Sequence, residues 1–119
     1  MNILVVDDNT DLSTIICEHI GEKGHHTHSF DNPIKAVEWL QINKVDMIIS
    51  DYSMPLMNGL EFRKEVFKMN KGDIPFILFS GENRTFLDEI KSYNLYAFVP
   101  KGDGLTYLEK CIDEIQDSL

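Results

Sequence analysis

The amino-acid sequence predicts an α/β fold, a doubly wound five-stranded parallel sheet with helices on both faces. Short apolar runs alternate five times with segments of helical periodicity along the 119 residues, which is the pattern of repeated βα units. The strand-like runs are mostly unbroken in their apolar character, as is typical of parallel strands covered on both faces. Five units are too few for a closed (β/α)₈ barrel, so we expect an open sheet in one domain, residues 1–119.

The first unit is predicted to be a buried strand followed by an amphipathic helix. Residues 3–6 form an apolar run that is too short for a helix. Apolar residues between positions 12 and 20 then recur on one helical face. Asn9 or Thr10 is suited to cap the start of this helix, and Gly24 can end it with a left-handed residue.

The second unit is more polar than the first. The later units are assigned in the same way, as short apolar runs for strands and helically spaced apolar residues for helices. Residues 26–30 predict a strand at a sheet edge, and Asn32-Pro33 predicts an N-cap with proline at the first helical position. The third strand is predicted at 46–50. The remaining elements are a helix from Gly59 to about 70–73, a strand at 75–79, a short helix around Phe86, Leu87 and Ile90, a strand at 96–99, and a last helix carrying Leu105, Leu108, Ile112 and Ile115. Right-handed crossovers favour the flavodoxin-like strand order 2-1-3-4-5.

Polar side chains follow four of the five predicted strands. They are Asp7 and Asp8 after the first strand, Asp51 after the third, Ser80 after the fourth and Lys101 after the fifth. In an open parallel sheet the functional site lies outside the carboxyl ends of the strands, so we expect these side chains to converge. Isolated loop aspartates are usually helix caps or solvated turn residues, but this repetition at one edge favours a common site.

Three converging carboxylates require a compensating positive charge. Two like charges about 4 Å apart cost roughly 4 kcal/mol at an effective dielectric constant of 20. Lys101 supplies one positive charge, and Mg²⁺, which prefers oxygen ligands, is the cofactor we expect to balance the rest. A carboxylate beside Mg²⁺ and a lysine is a suitable nucleophile for a phosphoryl group, because phosphoryl transfer mainly requires positioning and charge neutralisation. Lys101 and Ser80 would then bind the phosphoryl oxygens.

These residues resemble the receiver domain of two-component response regulators. The resemblance covers the whole chain: Asp7-Asp8 after the first strand, the pattern D-x-x-M-P-x-M-x-G over 51–59, then Ser80 and Lys101. It implies that Asp51 accepts phosphate from the phosphohistidine of a histidine kinase. It also implies that Lys101 binds the phosphate.

The resemblance assigns further roles to individual residues. Asp8 and Asp51 would bind Mg²⁺ directly, Asp7 through water, and the Ser53 backbone carbonyl would complete the metal site. Ser80 would be the switch hydroxyl and Phe98 the switch aromatic, changing the surface of the helix around Phe86, the fifth strand and the last helix. Ser53 and Glu82 would influence the dephosphorylation rate.

Composition and charge restrict the possible partners. With 43% hydrophobic and 26% charged residues and no biased tract, the chain is not expected to be disordered. A net charge of −9 argues against direct binding of nucleic acid or an anionic membrane. We expect a cytoplasmic domain whose partners are a histidine kinase or phosphotransfer protein and a downstream target or attached output domain. A phosphorylation-dependent homodimer is a further expectation.

Three other functions are alternatives to this one. A phosphohydrolase with Asp51 as nucleophile would need a second aspartate two residues later, where the chain has Ser53. A nucleotide- or flavin-binding module would need a glycine-rich loop after the first strand, and none is present. A degenerate receiver, which binds partners without being phosphorylated, stays open. The chain is not expected to be a turnover enzyme.

Overall fold

The computed structural model describes residues 1–69, 71–81 and 94–119, which form a five-stranded parallel sheet between two layers of helices. The strands are β1 (Asn2–Val6), β2 (His26–Phe30), β3 (Met47–Ser50), β4 (Phe76–Ser80) and β5 (Ala97–Pro100). The described helices are α1 (Thr10–Glu22), α2 (Pro33–Leu40), α3 (Gly59–Lys68) and α4 (Gly104–Asp117), and a 3₁₀ turn, Lys101–Asp103, joins β5 to α4. The strand order is β2-β1-β3-β4-β5, which confirms the predicted fold class and topology.

Strand boundaries differ from the predicted ones by at most one residue, and those of β2 agree. The largest functional consequence is at the carboxyl edge, where Ser80 and Pro100 are the last residues of β4 and β5 rather than the first residues after them. The two are register partners, so pairing continues one step beyond the apolar runs. Pro100 is tolerated because β5 is an edge strand. The short helix predicted around Phe86 lies outside the described residues.

Asparagine side chains cap the starts of α1, α2 and α3. Asn9 caps α1 by accepting the Leu12 N–H at 3.1 Å, so Asn9 and not Thr10 is the N-cap. The predicted Asn32-Pro33 start of α2 is confirmed, since the Asn32 side chain accepts the Ile34 N–H at 2.7 Å. The predicted left-handed residue after α1 is also present, because Gly24 has φ +91°.

The core consists of two apolar layers, one on each face of the sheet. Residues of β1 alternate between them, as the two-residue period of a strand requires. Ile3 and Val5 pack with residues of α1 and α4, whereas Leu4 and Val6 pack with residues of α2 and α3. None of the helices in the described part of the chain has the length and apolar character needed to span a bilayer. The helices on both faces leave the carboxyl edge of the sheet to carry polar side chains.

Candidate functional site

Two aspartates lie at the carboxyl ends of neighbouring central strands. The Asp7 N–H donates to the Phe30 carbonyl at 3.1 Å, and the Asp51 N–H donates to the Val6 carbonyl at 2.9 Å. Asp7 is 2% exposed and Asp51 is 7% exposed, whereas Asp8 faces solvent. Backbone hydrogen bonds to the sheet therefore place two nearly buried carboxylates on a rigid support.

The three predicted carboxylates and the predicted lysine are brought together. One carboxylate oxygen from each of Asp7, Asp8 and Asp51 can be chosen so that all three lie within 4.8 Å of one another. Lys101 Nζ lies 3.2 Å from Asp7 Oδ2 and 3.3 Å from Asp51 Oδ1. The lysine reaches the aspartates from the 3₁₀ turn after β5. Convergence at the carboxyl edge of the sheet, predicted from strand ends alone, is therefore present in the structure.

Backbone N–H groups orient two of the carboxylates. Asp7 Oδ1 accepts the Asn9 N–H at 2.9 Å, and Asp51 Oδ1 accepts the Tyr52 N–H at 2.9 Å. Lys101 contacts the other oxygen of Asp7, Oδ2, but it contacts the same oxygen of Asp51, Oδ1, that accepts the Tyr52 N–H. The sequence did not predict these donors, because every residue except proline has an N–H and only the path of the loop determines where it points.

Burial changes the protonation of Asp51. Its pKa is raised to about 6 from an ordinary value of 3.8, first by loss of solvent and then by repulsion from the Asp7 carboxylate. Lys101 and the Tyr52 N–H act in the opposite direction, but they do not restore the ordinary pKa. The negative charge of Asp51 is therefore costly in the metal-free domain.

Asp51→Asn is expected to stabilise the metal-free domain at neutral pH. Because the pKa of Asp51 is higher folded than unfolded, protonation of Asp51 favours the fold. That contribution is complete below about pH 4 and is lost as the pH rises through about 6. A shift of this size corresponds to about 1–3 kcal/mol in the free energy of unfolding. Urea denaturation with a chelator at several pH values would measure it.

The expected difference between the two proteins is small at about pH 4 and reaches its full value above about pH 7. Asp31→Asn, at the end of the edge strand β2, is the matched control and should show no such growth with pH. A stability difference that stays constant with pH, or a destabilised Asp51→Asn, would contradict the conclusion that the ionised Asp51 carboxylate destabilises the metal-free domain.

The loop between Asp51 and α3 is held by close backbone packing. Asn58 and Glu61 form a reciprocal capping box, with both side chain-to-backbone bonds at 2.9 Å. The Gly59 N–H donates to the Tyr52 carbonyl at 2.8 Å, and a Cβ at position 59 would collide with the Asp51 carbonyl oxygen. In the sequence, Gly59 ends a motif and is the predicted start of a helix. The structure shows that its missing side chain allows the loop to return to Asp51.

Three of the four remaining predicted residues are among those the structure describes, and they lie near this edge of the sheet. Ser80 is buried at the end of β4, and Phe98 is half-buried in β5. Leu78 and Phe98 are register partners, so Ser80 and Phe98 lie on the same face of the sheet. Ser53 is exposed in the loop after Asp51. Glu82 lies outside the described residues.

The donor set fits a hard divalent cation. Carboxylate oxygens from three residues converge, and oxygen is the ligand atom that Mg²⁺ prefers. Neither histidine nor cysteine belongs to this group among the described residues, which argues against a softer metal. Asp8 faces solvent, so an ion here could keep bound water, as Mg²⁺ usually does.

Comparisons with known proteins identify similar chains. The family model for the response regulator receiver domain matches residues 3–113. The chain is 33% identical over 66% of its length to the cyclic di-GMP phosphodiesterase response regulator RpfG of Xanthomonas campestris, covering 21% of that protein. It is 28% identical over 98% of its length to the DNA-binding transcriptional regulator NtrC of Azospirillum brasilense, covering 24% of that protein. The chain thus spans about a quarter or less of the length of these relatives.

A solved structure gives the same result for the fold. The response regulator protein TrrA from Thermotoga maritima, in complex with Mg²⁺-BeF, superposes with a TM-score of 0.86. The identity is 25%, and the match covers 96% of this chain and 97% of that one.

Proposed function

Because the chain belongs to the response regulator receiver domain family, we propose that it is a phosphorylation-controlled signalling domain with Asp51 as its phosphoacceptor. The supporting observation is the position of Asp51, buried at the end of a central strand with Lys101 Nζ 3.3 Å from its Oδ1. The phosphate donor we propose is the phosphohistidine of a histidine kinase or phosphotransfer protein. A carboxylate needs no general base to attack phosphorus, so no catalytic histidine is required.

Lys101 has two successive tasks in this proposal. Before transfer, its ammonium group neutralises part of the charge on Asp7 and Asp51. Transfer forms a bond between an Asp51 carboxylate oxygen and phosphorus, and the bond from phosphorus to the donor's histidine nitrogen breaks. The phosphoryl group then carries close to two negative charges and three acceptor oxygens. Lys101 binds one of these oxygens as a charge-assisted hydrogen-bond donor.

Mg²⁺ is the proposed cofactor. Asp8 and Asp51 would hold it directly, Asp7 through water, and the Ser53 backbone carbonyl would complete the protein ligands. When bound, the ion supplies positive charge that offsets the repulsion among the carboxylates and the incoming phosphoryl oxygens. The chain's own residues keep these oxygens in place through the bonds from Asn9 and Tyr52.

Ser80 and Phe98 form the proposed switch. They lie on one face of the sheet, and Phe98 packs beside the apolar layer that α2 and α3 cover. If the Ser80 hydroxyl moves to donate to the phosphoryl group, Phe98 can rotate into the space that it leaves. Close-packed cores favour such discrete rearrangements. Ser53 and Glu82 are proposed to modulate the lifetime of the phosphoryl group.

The output is proposed to be carried by another protein or by another part of a longer chain. The two relatives compared above are named as a phosphodiesterase regulator and a DNA-binding regulator, and the chain covers only a part of each. The family supports a signalling protein, and we do not assign turnover catalysis to this domain. We propose a cytoplasmic location, where histidine kinases present their phosphohistidine, and a homodimer that forms on phosphorylation.

Phosphorylation by acetyl phosphate is the direct test. In the presence of Mg²⁺ the protein is expected to gain about 80 Da, and Asp51→Asn is expected to gain nothing. Mass spectrometry of the intact protein measures both results. Modification of Asp51→Asn would contradict the assignment. Failure of the wild-type protein to be modified would favour the degenerate receiver, and continuous release of phosphate at many turnovers would favour the phosphohydrolase.

A further inference from the structure

Ser50 is a polar residue within the apolar layer that α2 and α3 cover. It is the last residue of β3, and its register partners on the two neighbouring strands are Val6 and Leu78, which both belong to that layer. Register partners point to the same face of a parallel sheet, so the Ser50 side chain points into the same layer. The residue is 0% exposed. A hydroxyl group in such a place is unfavourable unless it forms a hydrogen bond.

The Ser50 hydroxyl forms this hydrogen bond with the main chain of the next residue. Its Oγ donates to the Asp51 carbonyl oxygen at 2.9 Å. The chain leaves the sheet at this point. The Asp51 N–H still donates to the Val6 carbonyl, but within the described residues no backbone N–H donates to the Asp51 carbonyl. The hydroxyl therefore supplies the partner that a buried carbonyl needs and that the sheet no longer provides.

One peptide group connects the Ser50 hydroxyl to the Asp51 carboxylate. The Asp51 carbonyl and the Tyr52 N–H are the two ends of the same planar peptide. Ser50 Oγ donates to the carbonyl end, and the N–H end donates to Asp51 Oδ1 at 2.9 Å. Because a peptide group is planar and rigid, a rotation that breaks one of these bonds also turns the other. The direction of the Tyr52 N–H at the carboxylate thus depends on the Ser50 hydroxyl.

We propose that Ser50 is a positioning residue for phosphoryl transfer, which orients the attacking carboxylate through the peptide between Asp51 and Tyr52. This inference rests on the proposed function of Asp51 as the phosphoacceptor. Ser50 itself acts at a distance, because its hydroxyl is buried and is bonded to the carbonyl end of the peptide. Attack requires a carboxylate oxygen close to phosphorus and in line with the leaving nitrogen, so the orientation of the carboxylate affects the rate of transfer rather than the binding of the donor.

Ser50→Ala removes the hydroxyl, and Ser50→Thr keeps it. In Ser50→Ala we expect the maximal rate of phosphorylation by acetyl phosphate, at saturating Mg²⁺, to fall about three- to tenfold, the factor that one ordinary hydrogen bond makes in a rate. The acetyl phosphate concentration that gives half of this rate should change little, because Ser50 does not contact the donor. Ser50→Thr should retain most of the wild-type rate. Mass spectrometry of the intact protein follows each reaction.

Ile20→Val separates positioning from general destabilisation. Ile20 is buried in the other apolar layer, in the second half of α1, so its truncation loosens the core without touching the Asp51 peptide. Its phosphorylation rate should equal that of the wild type. A second measurement needs no phosphate. In the metal-free ¹⁵N-labelled protein, the Tyr52 amide proton signal should move upfield in Ser50→Ala, because a weaker hydrogen bond shields the proton, and should stay in place in Ile20→Val.

The outcomes separate this inference from the proposed function. A wild-type rate or an unmoved Tyr52 signal in Ser50→Ala would overturn the positioning role and leave Asp51 as the phosphoacceptor. Equal slowing in Ser50→Thr or in Ile20→Val would do the same. Failure of the wild-type protein to be phosphorylated would overturn both proposals. If the added methyl group prevents Ser50→Thr from folding, the comparison of Ser50→Ala with Ile20→Val decides.

Discussion

Asp8→Ala is expected to lower the Mg²⁺ affinity of the domain at least about tenfold, which corresponds to 1.4 kcal/mol or more of binding free energy. Asp8 contributes one of the three carboxylates that converge at the carboxyl edge, and it is the one that faces solvent. Removing it takes away a proposed direct ligand and one of the negative charges that attract the ion. Phosphorylation by acetyl phosphate should slow in parallel. Isothermal titration with Mg²⁺ measures the affinity.

The exposure of Asp8 makes this result easy to interpret. A truncated exposed side chain leaves no cavity and removes one of three repelling carboxylates, so the variant should keep the wild-type fold and an unfolding midpoint no lower than the wild type's without metal. Asp31→Ala is the control, because Asp31 is also an exposed aspartate at the carboxyl end of a strand but does not belong to the three-carboxylate group. An equal loss of affinity in both variants would show a general charge effect. Unchanged affinity in Asp8→Ala would place the metal elsewhere.

The carboxylate site could be predicted because it depends on topology. In a parallel sheet every strand ends at the same edge, so residues far apart in sequence, such as Asp7, Asp51 and Lys101, are brought together by strand order alone. The count of βα units and their handedness leave few strand orders, of which the flavodoxin-like order was favoured. Nothing about individual side-chain contacts was needed. Strand ends also predicted Ser80 near the site, although Ser80 is the last residue of β4 and not the first after it, whereas Phe98 was implied by the family resemblance alone.

Contacts through space were not predictable in the same way. The raised pKa of Asp51 results from burial beside Asp7, and the burial depends on how the loop after β3 packs. Arg63 is a charged residue in a helix, and a pattern of apolar positions predicts such residues to face solvent. Its neighbour Phe67 is four residues along the same helix, as periodicity describes, but its burial against Phe76 of β4 depends on how α3 packs on the sheet.

The close packing around Gly59 is another contact that the sequence pattern does not predict. The substitution Gly59→Ala would show how much this packing contributes to the free energy of unfolding. A methyl group at this position would collide with the Asp51 carbonyl oxygen and would lie 2.7 Å from Leu78 Cδ1 and 3.1 Å from the Tyr52 Cα. Two of these three contacts are backbone atoms, which cannot rotate away. We expect a loss of about 2–3 kcal/mol in the free energy of unfolding, as for other overpacked positions.

Gly21→Ala is the matched substitution, because Gly21 lies in α1 and a Cβ there would meet nothing within 4 Å. Alanine has the higher helix propensity, so this variant should gain up to about 1 kcal/mol. The same change of residue is therefore expected to have opposite signs at the two positions, measured by urea denaturation of both variants. If propensity decided the outcome, Gly59→Ala would also be stabilised, since Gly59 is the first residue of α3. That result would mean that the loop can move away from Asp51.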